Sequence, residues 1–268
     1  MSTNTPDGDE PPQHVRAAFG VSDGQPRQLS GTSAWSCDGV VLKPAADREH
    51  AVWVANILSR IDAPELRIAR PVRSTDGRTL IAGWQAYRHL DGAPQARPDE
   101  LMLTAVKLHQ ATADLHEVPP LVSRGGIGAT ADRLAWDEQD AELDEHRGGR
   151  WFEVLAGART QVSLPDQLVH GGLCGNVLFD DEGVPGIVDF IPYRRPAEWG
   201  VAVAAVDALV WGGAEAGLLR RWAHLPEWPQ MLLRAMLFRL AWHALDTQAD
   251  REDLDGLLTA AHEVSELL

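Results

Sequence analysis

The chain has 268 residues, 39 Asp and Glu against 24 Lys and Arg, and a formal net charge of -15. That surplus repels a phosphate backbone and argues against nucleic acid as a partner. No apolar run approaches the ~20 residues of a membrane helix, and the polar opening Met1–Asp9 lacks a signal-peptide pattern, so the expectation is a cytoplasmic protein away from membranes. A globular chain of this length buries roughly three quarters of its unfolded surface and needs no covalent staple. Cys37 and Cys174, the only two cysteines, are then read as reduced thiols.

Residues 1–13, rich in Pro, Asp, Thr and Ser, carry no periodic apolar face and predict a disordered tail. After a short helix at His14–Phe19, the runs Trp35–Cys37 and Gly39–Lys43 flank Asp38-Gly39, a favoured hairpin dipeptide, and predict two antiparallel strands. Asp47–Ile61 sets Ala51, Val54, Ala55 and Leu58 on one helical face, with Pro64 as the stop. A second strand pair is expected at Leu66–Val72 and Arg78–Tyr87 around the turn Asp76-Gly77. Residues 14–90 thus form a small sheet-and-helix lobe, with a boundary at Asp91-Gly92.

From Pro98 onward Leu101, Ala105, Leu108 and Thr112 recur at helical spacing. Seven carboxylates between Asp132 and Glu145 read as a solvated helix face extending to His146. Trp199–Leu209, Pro229–Asp246 and Arg251–Leu267 complete a helical region over residues 91–268, interrupted by short strands near Leu168, Val177–Phe179 and Ile187–Asp189. The fold class is α+β. The tryptophans Trp53, Trp222, Trp228 and Trp242 sit among helical patterns and are assigned to packing.

The stretch that carries chemistry is Leu168–Phe190, LVHGGLCGNVLFDDEGVPGIVDF. Two short apolar strands joined by the acidic turn Asp180–Pro185 can bring Asn176 and Asp189 together as hard oxygen ligands, which suits magnesium completed by substrate phosphates. The competing reading makes both residues turn formers bonded to their own backbone.

His170-Gly171, Asn176-Val177-Leu178-Phe179 and Ile187-Val188-Asp189-Phe190 resemble the catalytic core of aminoglycoside-phosphotransferase-like kinases. The resemblance implies a bilobal protein-kinase-like fold with a small antiparallel-sheet lobe and a larger helical lobe, binding ATP and Mg²⁺. It assigns Asn176 and Asp189 to the metal and His170 to structuring the loop. Lys43, in Val40–Pro44, looks like the phosphate-pairing lysine, with Glu49 at the start of the next helix as its partner. Ala86–Leu90, Tyr87 included, looks like the adenine-contacting hinge, and Leu29–Ser33, with Gly31 and Ser33, like the phosphate loop. Tyr193–Asp207 is similar to a subgroup of actinobacterial members of unassigned substrate.

Two positions depart from the family pattern. Gly172 stands where the family has its catalytic Asp, and it lies four positions before Asn176, one fewer than is common. The phosphate loop has a single glycine. General-base catalysis contributes about 10²- to 10⁴-fold, or roughly 3–5 kcal/mol of barrier. The resemblance therefore implies an ATP-dependent phosphotransferase for the hydroxyl of a small molecule, its activity weakened or lost through Gly172. The alternative is a pseudokinase that binds nucleotide without catalysis or serves as an interaction module. Asp207, a charge on an apolar helix, is expected either to accept bonds from the catalytic-loop backbone or to lie exposed. The acidic stretch Asp137–Glu145 is expected to be solvated, with a pocket for a cationic substrate as the other reading. Cys174 has no identifiable catalytic partner and reads as a loop thiol.

Overall fold

The computed structural model describes residues 9–118, 120, 126–181 and 183–268. Of the expected tail, residues 1–8 lie outside this set, as does Glu182 of the acidic turn. The described residues divide into two compact units, those of 9–93 with 178–190, and those of 94–177 with 191–268.

The first unit is built on an antiparallel sheet of order β1-β2-β3-β6-β5, with β1 Arg27–Gln28, β2 Trp35–Cys37, β3 Val40–Pro44, β5 Pro71–Val72 and β6 Trp84–Arg88. Asp38 and Gly39 both have positive φ, 45° and 73°, the signature of the two-residue hairpin that the dipeptide predicted. Helix α1 (Gln13–Ala18) closes one face of the sheet, and its Val15, with Phe19 and Val21 just beyond, packs on Cys37, Leu42, Ile81 and Trp84. Helix α2 (Arg48–Arg60) starts at Asp47, whose side chain accepts the N–H of His50 at 3.0 Å. It buries Ala51, Val54, Ala55, Ile57 and Leu58.

One expected strand pair is rearranged. The run Leu66–Val72 splits in two, and only β5 pairs with β6. β4 (Arg67–Ile68) instead runs parallel to β9 (Gly186–Ile187), which lies between β4 and β8 (Val177–Leu178). Arg78–Ile81 is not strand either, because a second tight turn at Ala82-Gly83, φ 47° and 83°, folds Ile81 back onto Trp84. The turn at Asp76-Gly77 marked the start of the segment, but the two positive-φ residues set where β6 begins.

The second unit holds α3 (Pro98–Ala111), α4 (Ile127–Ala135), α5 (Gly149–Ala156), α6 (Ala197–Val210), α7 (Gly217–Arg221), α8 (Trp228–Leu245) and α9 (Arg251–Ser265). The almost wholly buried α8 packs against α4, α5, α6 and α9, and α3 against α6. The hairpin of β7 (Gln167–His170) and β10 (Pro192–Arg195) lies in the same unit. Tyr193, Trp199 and Phe238 meet edge to face with centroids 5.4–5.5 Å apart.

The acidic segment differs from its expectation. Helix stops at Ala135, and 136–144 is irregular up to a 3-10 turn at Glu145–Arg147. The carboxylates do not share a solvated face, because Asp132 is buried and shares Arg195 with Glu138, each through two hydrogen bonds of 2.7–2.9 Å. A charge pattern cannot tell a solvated carboxylate from one that will meet an arginine about sixty residues later in the chain.

Candidate functional site

In the first unit, Lys43 lies near the end of β3 and Asp189 two residues after β9. The lysine Nζ donates to Asp189 Oδ2 at 2.6 Å, with both side chains 38% exposed. The other carboxylate oxygen accepts the Phe190 N–H at 3.0 Å. Lys43 thus forms an ion pair with Asp189, which the sequence did not point to. Glu49 is an exposed residue in the first turn of α2. The neighbouring His50 is half-buried, and its imidazole is pushed below its ordinary value, first by burial, while the charge of Lys43 adds to the lowering and the carboxylates of Asp47 and Asp189 oppose it.

Tyr87 is buried on β6 between β3 and β5, opposite Val41 and Pro71. Burial first, and then the charge of Asp189, pushes its phenol far up. Past β6, the His89 N–H bonds to the Gly39 carbonyl, and Ala93 exchanges both backbone bonds with Phe179. Gly92 (φ 114°) is obligatory there, since a Cβ would come within 2.6 Å of the Phe179 carbonyl oxygen. Arg67 fixes the hairpin that leads to Asp189. It bonds Asp180 at 2.8 Å, the Val184 carbonyl at 2.9 Å and the Asp91 carbonyl at 3.0 Å.

Residues 29–33 form the connection between β1 and β2, closed by Leu29 N–H to the Ala34 carbonyl at 2.9 Å and Thr32 N–H to the Leu29 carbonyl at 3.2 Å. Gly31 (φ 71°) is exposed at its tip, and Ser33 is half-buried.

In the second unit the loop after β7 is fastened on all sides. His170, fully buried, accepts the Gly172 N–H on Nδ1 at 3.0 Å. The Gly171 N–H bonds the Ile191 carbonyl at 2.8 Å. Asn176 Nδ2 donates to the Gly172 carbonyl at 2.8 Å. With Nδ2 committed, Oδ1 is the side-chain atom of Asn176 left for another partner. Gly171 cannot be larger, as a Cβ would lie 2.3 Å from the Tyr193 ring. At Gly172 a Cβ would meet Ile191 Cδ1 at 3.1 Å and Arg239 Nη2 at 3.8 Å, so an added side chain requires the tip of Ile191 to give way.

Asp207 proves to be paired, by a route the sequence did not show. On α6, it takes a bidentate bond from Arg239 of α8, with Nε at 2.6 Å, and Arg239 Nη2 in turn donates to the Gly171 carbonyl at 3.0 Å. Both side chains are under 5% exposed. Burial pushes the Asp207 carboxyl up, against the pull of the guanidinium. Arg239 and Asp207 therefore reach the loop backbone as a unit, with the arginine as the contact. Cys174 is half-buried and its thiol is pushed up to about 11, chiefly by burial, which keeps it protonated and weakly nucleophilic at neutral pH.

The same unit holds a cavity of about 590 Å³ over Leu134 and Phe152, with Asp140, Glu142 and Glu153 among its lining. Arg159, its cation, is ion-paired to Asp137 at 2.7 Å. Among the described residues no group of three His, Cys, Asp or Glu side chains is placed to hold a metal, and no helix is long and apolar enough to cross a membrane.

The model of the phosphotransferase enzyme family matches residues 38–240, and the chain belongs to that family. No curated protein matches it in sequence. Among solved structures it is similar to an aminoglycoside phosphotransferase from Alicyclobacillus acidocaldarius, at 14% identity and a TM-score of 0.66 over 99% of this chain and 96% of the other. A microcompartment-associated aminopropanol kinase matches at 15% identity and 0.63, over 94% of each chain. A spectinomycin phosphotransferase bound to ADP and spectinomycin matches at 13% identity and 0.62, over 96% of this chain and 97% of the other. The fold is accordingly the α+β fold of these kinase-like proteins.

Proposed function

We propose that the protein is an ATP-dependent phosphotransferase acting on the hydroxyl of a small molecule, at a rate limited by Gly172. The observation that carries this reading is the ion pair between Lys43 and Asp189. It sets an ammonium and a carboxylate side by side, accessible enough to exchange each other for a phosphate and a metal ion. Bound Mg²⁺ and ATP would supply the transferable phosphoryl group and the neutralisation of its charge. Lys43 would pair with the phosphates, Asn176 Oδ1 and the Asp189 carboxylate would hold the metal, and Tyr87 and the segment after it would meet the adenine. Gly31 and Ser33 would cover the phosphates through backbone N–H and hydroxyl groups. Gly172 leaves the acceptor proton without a side chain to receive it, so positioning and charge neutralisation carry the transfer.

An amine-bearing acceptor fits two observations. The neighbours include kinases of aminopropanol and spectinomycin, and the cavity at Asp140, Glu142 and Glu153 suits a cation. The second reading, a nucleotide-binding pseudokinase, is favoured by the closeness of Ile191 to Gly172, which leaves little room for a base.

The decisive experiment pairs calorimetry of Mg·ATP binding with phosphorylation of a panel of amino alcohols, in the wild type, Asp189→Ala and Gly172→Asp/Ile191→Val. The phosphotransferase reading expects Mg²⁺-dependent binding lost in Asp189→Ala and turnover raised about 10²-fold or more in the double variant. Binding without turnover in any variant would favour the pseudokinase. No binding at millimolar ATP would overturn both.

A further inference from the structure

We propose that His109 is a positioning residue for the loop at Gly172, acting through a relay of two neutral imidazoles that runs from α3 through His170. What the loop is held for rests on the phosphotransferase reading above. His109 is in the last turn of α3 and 1% exposed. Its Nε2 accepts the backbone N–H of His170 at 3.1 Å, and the His170 imidazole accepts the N–H of Gly172 on Nδ1 at 3.0 Å. A neutral imidazole that accepts at one nitrogen carries its proton on the other. The two bonds thus assign His109 as the Nδ1–H tautomer and His170 as the Nε2–H tautomer. Position 172, where the acceptor hydroxyl would be oriented, is two hydrogen bonds away from a rigid helix.

Three further contacts fix the relay's origin. Gln167 Nε2 donates to the His109 carbonyl at 2.6 Å, and Thr112 Oγ1, at the C-cap of α3, donates to the Leu168 carbonyl at 2.7 Å, so the end of α3 is tied to β7 at two points. On the other side α6 carries Gly200, where a Cβ would lie 2.3 Å from His109 Cε1 and 2.8 Å from Nε2. A glycine inside a helix is destabilising relative to alanine, and the space it leaves is filled by this ring. An apolar side chain at 109 could fill the same space, but it would leave a buried N–H at His170 without an acceptor. The imidazole therefore satisfies a requirement of the loop and not only of the core. Because Asn176 Nδ2 bonds the Gly172 carbonyl, a shift of this loop also moves the metal-ligating amide.

The test uses the full-length protein. Nitrogen-15 spectra of the wild-type imidazoles are expected to show Nε2 of His109 unprotonated and Nδ1 protonated. In His109→Leu, exchange of the Gly172 amide should rise and Mg·ATP affinity fall, each by about tenfold or more, while His109→Gln, which keeps an acceptor, should remain within about threefold of wild type. Leu and Gln variants that behave alike, or a protonated Nε2 in the wild type, would overturn the relay. Should the Leu variant not fold, the wild-type spectrum and amide exchange in the Gln variant decide the matter. Absence of Mg·ATP binding in the wild type would sink the phosphotransferase reading, while the spectrum and the exchange data still judge the relay.

Discussion

Two lysine- or arginine-to-aspartate pairs, one in each unit, show how burial divides the same chemistry into different work. Arg239 and Asp207 are almost completely buried, joined by two bonds and tied to the Gly171 carbonyl. Lys43 and Asp189 share one bond and remain 38% exposed. In the interior, neither charge can find another partner, so the pair is a fixed part of the second unit's architecture. At the half-exposed pair, water and ions compete, the net attraction is within about 1 kcal/mol, and either group can be recruited by a ligand. A pair that holds a structure is the one that cannot be exchanged, and a pair that serves a ligand is the one that can.

Breaking the buried member should have the largest effect. Asp207→Ala leaves a guanidinium without its counter-charge and is expected to cost about 3–5 kcal/mol, visible as a large fall in the urea midpoint. An unchanged midpoint would mean that the arginine had found another anion and that the contrast between the pairs is false.

Next comes acid. Burial, followed by the field of His170, lowers the pKa of His109 from 6.5 to about 3. Its neutral form is the folded form, so this contribution is fully present above pH 6.5 and is lost as pH falls from 6.5 towards 3, at about 1.4 kcal/mol per pH unit. Thermal melts from pH 7 to pH 4 should show that slope, and His109→Gln should remove it.

Lys43→Met sharpens the other side of the comparison. It should change stability by no more than about 1 kcal/mol while weakening Mg·ATP binding by an order of magnitude or more in calorimetry. A variant that melts much lower, with unaltered affinity, would make this pair structural too. The smallest effect is expected at Asp47→Ala, where loss of the α2 cap should cost about 1 kcal/mol in chemical denaturation.

Much of this was legible where chemistry and local geometry coincide. Asp38-Gly39 and the helix from Asp47 are short-range patterns that the chain writes in neighbouring residues, while His170, Asn176 and Asp189 are what the family resemblance points to. The strand that carries Lys43 was legible, but its ion pair with Asp189 was not. The sequence pointed to Glu49, a few residues on, and gave no sign of a carboxylate 146 positions away. Arg239 and His109 gave no signal, since a buried arginine and a buried histidine on apolar helices look like any helical polar residue until the backbone groups they satisfy are known. Asp132 and Glu138 were hidden in the same way by Arg195. The parallel pairing of β4 with β9 escaped because two residues are too few to show a period.

That parallel pairing has a consequence for synthesis. β4 is made early, but the strand beside it belongs to residues 178–190, which rejoin the first unit only after the chain has passed through residues 94–177. Until the ribosome-bound chain has reached Ile187, Arg67–Ile68 lacks the strand it pairs with, and its backbone groups are open to pairing with another chain. The first unit therefore cannot finish folding in order of synthesis, and its last contacts close a loop of more than a hundred residues. A translational pause within residues 94–177 would be the moment of greatest exposure to aggregation, and a chain cut before residue 178 should need a chaperone where the whole protein does not.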